Sequence, residues 1–174
     1  MELLENLLEW SNSQRGKIEI NKQTFKVAQI IASTISLVQG MALNKSIGIV
    51  FDPAQEQTVF ADVNMLHTVL RNMVTNAIKY TSKGGQVQIS LSERGGLTGI
   101  AITDNGLGIA PEKLKDIFSM EANNSSPGTE GETGTGIGLL LCKEFIEKNE
   151  GNIVVSSRPG NGSTFTIWLP AREL

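Results

Sequence analysis

Apolar residues recur every three to four positions in four stretches of the chain, and this spacing is typical of helices with one buried face. The first stretch, residues 2–14, carries Leu3, Leu4, Leu7, Leu8 and Trp10. The other three predict helices over 25–42, 62–81 and 137–149. In the helix over 25–42, the predicted inward face holds Ile30, Ile31, Ile35, Val38 and either Met41 or Ala42. A short helix is also predicted over 111–118, because a proline such as Pro111 suits the first helical turn.

Other stretches alternate between apolar and polar residues or carry β-branched residues, and both patterns predict strands. The predicted strands cover 46–52, 58–61, 86–93, 97–103, 152–157 and 163–169. Arg94-Gly95-Gly96 separates the third strand from the fourth, which predicts a hairpin. A closing hairpin is predicted around residues 159–162.

The composition narrows the class of protein. A length of 174 residues with 40% hydrophobic content indicates one core and a single domain with an appendage. A formal net charge of −3 and a pI near 5.2 give no basic surface, so no nucleic-acid partner is expected. No apolar run approaches the roughly 18 residues of a membrane span, and no leader is visible. We therefore expect a cytoplasmic chain without membrane contact of its own. Cys142 is the only cysteine, which excludes an internal disulfide.

The predicted helix over 62–81 has one apolar face and one polar face. Asn72, Asn76 and Lys79 share the polar face and Tyr80 flanks them, whereas Leu66, Leu70, Met73, Val74 and Ala77 share the other face. An amide oxygen suits Mg²⁺, an ammonium suits phosphate and an aromatic ring can stack on a purine. A solvated helix surface would show the same residues, so this face alone leaves both interpretations open.

Two glycine motifs in the second half of the chain favour a nucleotide site. Asp104 ends a predicted strand and precedes Gly106 and Gly108; its carboxylate can accept a hydrogen bond from a donor such as the amine of adenine. Gly134-Thr135-Gly136-Ile137-Gly138 leads from a loop into a predicted helix, where unpaired amides favour a phosphate. Each motif alone is weak evidence, but their order along the chain favours a functional nucleotide site over a chance occurrence.

These motifs together resemble the ATP-binding catalytic domain of a bacterial two-component sensor histidine kinase. The superfamily also holds gyrase, chaperone and mismatch-repair ATPases. The resemblance covers about 24–170 and includes the helical Asn72–Asn76 pair, the two glycine motifs and Gly162-Ser-Thr164-Phe. It implies an α+β fold, a two-layer α/β sandwich in which a mixed sheet is covered by three helices.

The resemblance also implies cofactors and residue roles. ATP and Mg²⁺ are the implied cofactors, with Asn76 as the magnesium ligand and Asn72 and Lys79 as catalytic residues beside the phosphates. Asp104 would accept a hydrogen bond from the adenine amine. Around adenine, the implied positions are Tyr80, Gly106, Gly108 and Ile109, and Thr164 would supply a hydroxyl that reaches adenine through water. Phe118 would lie at the hinge of a lid. The implied phosphate loop consists of Gly134, Thr135, Gly136, Ile137, Gly138 and Leu139.

The implied organisation places residues 1–16 at the C-terminal end of a dimerisation and phosphoacceptor helix. Residues 17–174 form the catalytic domain, with a lid over about 119–136. Because His67, the only histidine, lies across the helix from Asn76, the phosphoacceptor histidine is expected upstream of Met1. The implied partners are the phosphoacceptor domain of the same parent protein and a response regulator receiver domain. The chain would be cytoplasmic whether or not its parent is anchored in a membrane.

Two alternative functions stay open. ATPase relatives carry a glutamate one turn before the magnesium asparagine, where this chain has Asn72, so hydrolysis would be slow and phosphoryl transfer is favoured. No Lys or Arg occurs from Asp116 to Cys142, so the lid offers no cation to the terminal phosphate. This keeps open a second alternative, a regulatory binding module that uses nucleotide only to order its lid and engage a partner. The lid is predicted to be mobile without nucleotide, because almost no apolar residue offsets the entropy of ordering it.

Overall fold

The computed structural model describes residues 19–52, 54, 56–119, 126–132, 134 and 136–173. In chain order, the elements are β1 (Lys22–Lys26), α1 (Val27–Asn44), β2 (Gly48–Phe51), β3 (Thr58–Asp62), α2 (Val63–Tyr80), β4 (Gln86–Arg94), β5 (Leu97–Asp104), α3 (Pro111–Leu114), α4 (Gly138–Lys148), β6 (Asn152–Ser157) and β7 (Ser163–Pro170). The helix predicted over 2–14 lies outside the described residues.

Five strands form one mixed sheet in the order β2-β4-β5-β7-β6. β2 pairs with β4 in parallel, and all other neighbours in this sheet are antiparallel. β4 with β5 and β6 with β7 are the two predicted hairpins, which the structure confirms. The register places Asp104 opposite Val87 on one side and Ser163 on the other, so Asp104 ends the central strand β5.

The core lies between this sheet and the three longer helices, which confirms the predicted two-layer sandwich. Alternate residues of β4 and β5 are buried, as expected for a sheet with one covered face. The largest fully buried side chains come mainly from α1, α2, α4, β5 and β7: Ile31, Leu66, Leu70, Ile78, Leu141, Ile146, Ile100, Ile102, Ile167 and Leu169. In α1, Ala42 is buried and Met41 is exposed, which decides between the two predicted positions.

The structure corrects the start of the predicted helix over 25–42. Residues 22–26 form a strand, which pairs with β3 in a separate two-stranded sheet, and α1 begins only at Val27. β2 and β3 therefore belong to different sheets. The sequence pattern misses β1 because Phe25 is its only apolar residue. The helix predicted over 111–118 ends at Leu114, and residues 115–118 continue as turns.

The predicted cap of the site helix is confirmed. One carboxylate oxygen of Asp62 accepts hydrogen bonds from the main-chain N–H groups of Asn64 and Met65, each at 3.0 Å. Its other oxygen accepts from the N–H of Asn21 at 2.9 Å. Because Asp62 caps α2 and ends β3, the start of the site helix is fixed to the small sheet.

α1 contains no charged residue and, by length and composition alone, is the helix among the described residues that could cross a membrane, which corrects the expectation that no run approaches that length. One face of it, which includes Val27, Ile31 and Val38, is buried in the core. Cys142 in α4 is fully buried, and its Sγ lies 3.8 Å from the carbonyl oxygen of Val69 in α2.

Candidate functional site

A cavity of about 370 Å³ opens where α2, the end of β5 and the following loop meet. Among the described residues that line it, Asp104 and Lys113 carry a charge and the others do not. Its lining consists of Asn76, Ala77, Tyr80, Asp104, Leu107, Gly108, Ile109, Ala110, Lys113, Ile117, Ser126, Pro127, Leu139, Pro159, Ser163 and Phe165. An apolar cavity with a few convergent polar groups is typical of a site for a flat organic ligand.

Asp104 lies buried in the wall of this cavity. Its Oδ1 accepts hydrogen bonds from the N–H groups of Gly106 at 2.9 Å and Ser163 at 3.3 Å. Burial raises the pKa of the carboxyl group, although these two hydrogen bonds act to lower it. Both bonds from described residues fall on Oδ1, so Oδ2 has the capacity to accept from a ligand. A ligand that donates an N–H group, as the amine of adenine does, would satisfy it.

Tyr80 and Lys79 end the site helix side by side. Tyr80 lines the cavity and its hydroxyl donates to the carbonyl oxygen of Ser126 at 3.1 Å. Lys79 is buried beside the cavity without lining it, and its Nζ lies 4.8 Å from the centre of the Tyr80 ring. The Lys79 ammonium makes no hydrogen bond to any other described residue. Because a buried charge is costly without a partner, an anionic ligand would stabilise this group.

The two asparagines of α2 point to neighbouring parts of the site. Asn76 is half-buried and lines the cavity. Asn72 is buried, and its Nδ2 donates to the carbonyl oxygen of Thr68 at 2.9 Å. A Cβ atom at Gly138 would lie 3.0 Å from the Asn72 Oδ1, so this oxygen lies against the start of α4. The pair therefore lies between the cavity and the start of α4.

The glycine loop leads into α4 in the predicted way. Gly136 has φ +72°, a conformation that favours glycine, and α4 begins at Gly138 without a side-chain cap. Leu139 in the first turn lines the cavity. The positive end of this helix can therefore bind an anion next to the cavity. Thr135 lies outside the described residues.

Gly106 and Gly108 lie where main-chain segments approach each other closely. A Cβ atom at Gly106 would lie 2.2 Å from the carbonyl oxygen of Tyr80, and one at Gly108 would lie 2.0 Å from that of Arg158. The glycines thus allow main-chain segments to approach each other rather than only making room for a ligand. Gly108 lines the cavity together with Ile109, whose N–H donates to Ser157 Oγ at 2.8 Å.

Thr164 and Phe118 do not line the cavity. Thr164 shares a 3.0 Å hydroxyl–hydroxyl contact with Thr103, and strand alternation places it on the opposite face from Ser163. Ser163 lines the cavity in its place, and the expected contact of Thr164 with adenine through water stays a prediction. Phe118 packs edge-to-face against Phe165, with ring centres 6.5 Å apart, and Phe165 lines the cavity. Phe118 thus supports the wall of the cavity.

Lys113 is a site residue that the sequence interpretation missed. It lines the cavity from α3, and its Nζ donates to Ser126 Oγ at 3.2 Å. Lys113 lies three residues before Asp116, where the stretch without Lys or Arg begins. Leu107, Ile117, Pro127, Pro159 and Phe165 were also missed, because apolar residues in loops and strands carry no motif.

Residues 126–132, which we call the 126–132 loop, are fastened to the end of α2. The Thr129 N–H donates to the carbonyl oxygen of Lys79 at 3.1 Å, and its Oγ1 donates to that of Thr81 at 2.9 Å. Within the loop, the Gly128 N–H donates to the carbonyl oxygen of Glu132 at 2.8 Å. Hydrogen bonds therefore anchor this part of the predicted lid to α2. Residues 120–125, 133 and 135 of the lid lie outside the described residues.

Comparison with known proteins gives a family match. Residues 61–173 match the family described as histidine kinase-, DNA gyrase B-, and HSP90-like ATPase. The chain is 35% identical over 170 residues to the sensor-like histidine kinase SenX3 of Mycobacterium tuberculosis, which covers 98% of this chain and 42% of SenX3. It is 30% identical over 171 residues to sensor protein SrrB of Staphylococcus aureus, which covers 98% of this chain and 29% of SrrB. The chain thus spans less than half the length of these relatives.

Solved structures share the fold. Full-length ShkA in complex with AMPPNP has a TM-score of 0.81 at 24% identity, over 97% of this chain and 35% of that chain. Histidine kinase ThkA in complex with response regulator protein TrrA has a TM-score of 0.75 at 22% identity, over 98% of this chain and 48% of that chain. At such identities, the likeness shows the two-layer fold alone.

Proposed function

The chain belongs to the histidine kinase-, DNA gyrase B- and HSP90-like ATPase family, and we propose that it is the catalytic part of a two-component sensor histidine kinase. It binds Mg-ATP and donates the terminal phosphoryl group to a histidine of a dimerisation domain. Residues 1–16 would be the C-terminal end of that domain, and residues 17–174 the catalytic domain. The sensor-like histidine kinase SenX3 and the sensor protein SrrB, to which the chain is similar over 98% of its length, support this proposal.

The observation that carries the proposal is the position of Asp104 in an apolar cavity. A buried carboxylate oxygen selects a ligand that donates a hydrogen bond, and the surrounding apolar wall selects a flat ring. Adenine has both properties. Tyr80 and Ile109 line the same cavity and would contact the ring. The AMPPNP bound by ShkA supports an adenine nucleotide here.

The phosphates would lie at the other end of the site, between α2 and the start of α4. The uncapped N-terminus of α4 supplies main-chain N–H groups, and Asn72 lies against its first residue. The buried Lys79 ammonium would gain the partner that it lacks among the described residues. Lys113 supplies a further cation at the rim of the cavity.

Asn76 is the proposed magnesium ligand. No group of three or more His, Cys, Asp or Glu residues suited to a metal occurs within the described ranges. Mg²⁺ is commonly held by few protein oxygens together with phosphates and waters, so one carboxamide oxygen beside the phosphates fits it. When bound, Mg²⁺ would neutralise phosphate charge during transfer.

Transfer to histidine fits Asn72 better than hydrolysis does. A neutral imidazole nitrogen brings its own lone pair, which forms a bond to the terminal phosphorus while the bond to the bridging oxygen breaks and ADP leaves. Water would instead need a base to accept its proton, and a carboxamide at Asn72 cannot serve as one. The chain would therefore align the imidazole with the terminal phosphate and neutralise phosphate charge. It would not activate water.

The proposed partners are the phosphoacceptor domain of the parent protein and a response regulator receiver domain. ThkA, which shares the fold, was solved in complex with a response regulator. We propose a cytoplasmic location for this chain, as the resemblance to sensor histidine kinases implies.

Phosphoryl transfer from labelled Mg-ATP to a separately supplied phosphoacceptor domain tests the function. We expect labelled histidine with the wild type and a strong loss with Asp104→Asn. Release of inorganic phosphate without labelled histidine would favour a slow ATPase. Nucleotide binding with neither product would favour a regulatory module that nucleotide orders.

A further inference from the structure

The ammonium group of Lys45 lies at a buried junction outside the nucleotide cavity. Lys45 follows α1, and only 5% of the residue is exposed. Its Nζ donates to the carbonyl oxygens of Ile78 and Lys79, each at 3.0 Å, in the last turn of α2. It also donates to Thr129 Oγ1 at 2.6 Å and to the Glu132 carboxylate at 2.8 Å. One ammonium thus joins the site helix to the 126–132 loop.

The junction determines where Lys79 lies. The last carbonyl groups of a helix have no partner within the helix, and Lys45 supplies one for two of them. The side chain of Lys79 is confined by the loop on the other side, since a Cβ atom at Gly128 would lie 2.6 Å from Lys79 Cγ. The main chain and the side chain of Lys79 are therefore both held by groups that Lys45 connects.

The ion pair within the junction persists at neutral and mildly acidic pH. Partial burial acts to raise the pKa of Glu132, but the hydrogen bond from Lys45 and those from the main-chain N–H groups of Glu132 and Glu130 lower it to about 2. The charged carboxylate compensates the buried ammonium, as a buried charge requires. The loop is therefore fastened to α2 by charge as well as by main-chain hydrogen bonds.

We propose that Lys45 is a positioning residue of the nucleotide site, which holds the end of α2 and the 126–132 loop as one unit so that Lys79 faces the phosphates. The inference rests on the proposed nucleotide binding and adds to it a residue that touches neither cavity nor ligand. Because the adenine end is built by Asp104 and its neighbours, loss of Lys45 should affect the phosphate end selectively.

Calorimetric titration of the full chain with adenosine and with an Mg-bound ATP analogue tests this selectivity. Lys45→Met removes the ammonium, Glu132→Gln removes one charge but keeps an acceptor, and Lys83→Met changes an exposed lysine just after α2 as the control. We expect Lys45→Met to raise the Kd of the ATP analogue about tenfold and Glu132→Gln about threefold, which fits the loss of charged hydrogen bonds. The Kd of adenosine should change less than about twofold in both, and Lys83→Met should leave both values unchanged.

The outcomes separate the inference from the proposed function. All measurements are made well below the unfolding temperature of each variant. A lowered Tm with both Kd values unchanged, or an equal loss for both ligands, would show a purely structural role and overturn the inference alone. If Lys45→Met does not fold, Glu132→Gln decides, because its partly exposed side chain tolerates the change. A wild type that binds neither ligand would overturn the proposed function, and the inference with it.

Discussion

Asp104 combines two properties that usually oppose each other: it is a charged group in an apolar wall, and its burial is only partly compensated by Gly106 and Ser163. In Asp104→Asn, the carbonyl oxygen can still accept from these two N–H groups while the NH₂ group turns toward the ligand. We expect adenine nucleotides to bind about 1–3 kcal/mol more weakly, because two donors would then face each other.

Calorimetric titration with an ATP analogue measures this loss, and Glu93→Gln, an exposed change at the far end of β4, is the control. Unchanged affinity of Asp104→Asn would exclude the adenine role of this carboxylate.

The raised pKa of Asp104 also predicts a pH dependence of stability. A carboxyl group whose pKa is higher in the folded chain than its ordinary value of 3.8 takes up a proton more readily when folded. Its contribution to the free energy of unfolding is full below 3.8 and is lost as the pH rises through the folded-state pKa. Asn has no such loss, so Asp104→Asn should gain stability relative to the wild type across this window. Thermal unfolding at a series of pH values measures the difference, and parallel profiles would contradict the prediction.

Asn76→Ala separates metal binding from folding. Asn76 lines the cavity and is half-buried, so we expect a change in the free energy of unfolding within about 0.5 kcal/mol. The magnesium dependence of nucleotide affinity should be lost, whereas adenosine should bind as before. Titrations with and without Mg²⁺ provide the test. A loss of stability as large as that of a core deletion, roughly 2–5 kcal/mol, would mean that the side chain holds the fold instead.

The site residues that sequence could predict are those close together on one element or in one turn. Tyr80 and Asn76 line the cavity because one helical turn fixes their spacing, and Asp104 lines it because it ends a buried strand. Lys113 and Phe165 could not be predicted, since their position depends on where separate elements meet. The spacing of residues within one element predicts which side chains share a face. Which elements meet is known only once the chain is packed.

At the scale of elements, the sequence predicted the bounds of a helix well where a capping residue and an apolar face indicated the same helix. α2 has both, through Asp62 and its buried face, and its predicted end at about Thr81 is within one residue of the structure. β1 has neither, because it is a short ribbon strand that depends on pairing with β3. Such pairing between residues far apart in sequence leaves no periodic signal in either strand.

The turn between β6 and β7 offers a matched pair of glycines for a test of packing. Gly160 and Gly162 both have φ +79°, but a Cβ atom at Gly162 would lie 1.9 Å from the Asp104 carbonyl oxygen, whereas one at Gly160 would meet open space. We expect Gly160→Ala to cost about 1 kcal/mol from its backbone conformation alone. Gly162→Ala should cost a further 1–3 kcal/mol, roughly, because the main chain must move apart.

Denaturant unfolding of the two variants measures this difference. Since the contact is with Asp104, Gly162→Ala should also weaken nucleotide binding, and Gly160→Ala should not. Equal costs for the two substitutions would mean that the close approach to Asp104 is absent in solution.

At the scale of the whole molecule, the 126–132 loop has contacts that its sequence does not predict. Its composition predicts mobility, but composition does not reveal that Lys45, some 80 residues away in sequence, supplies a charge and hydrogen bonds. We expect the Thr129 and Gly131 amides to be protected from hydrogen exchange without nucleotide, since both donate to main-chain carbonyls. Exchange as fast as that of an unfolded peptide at both amides would contradict this anchoring.

The rate at which a thiol reagent labels Cys142 can report on the contact between α2 and α4. Burial raises the pKa of its thiol to about 12, against the opposing charge of Arg71, so the reactive thiolate is scarce in the folded chain. A thiol reagent must therefore wait until the two helices separate, and the labelling rate becomes a measure of how often they do. Asn72 and Gly138 meet at this same contact, about one turn from Val69 and from Cys142 respectively. A nucleotide that bridges α2 and α4 should slow the labelling of Cys142, so that one buried sulfur reports occupancy of a site it does not touch.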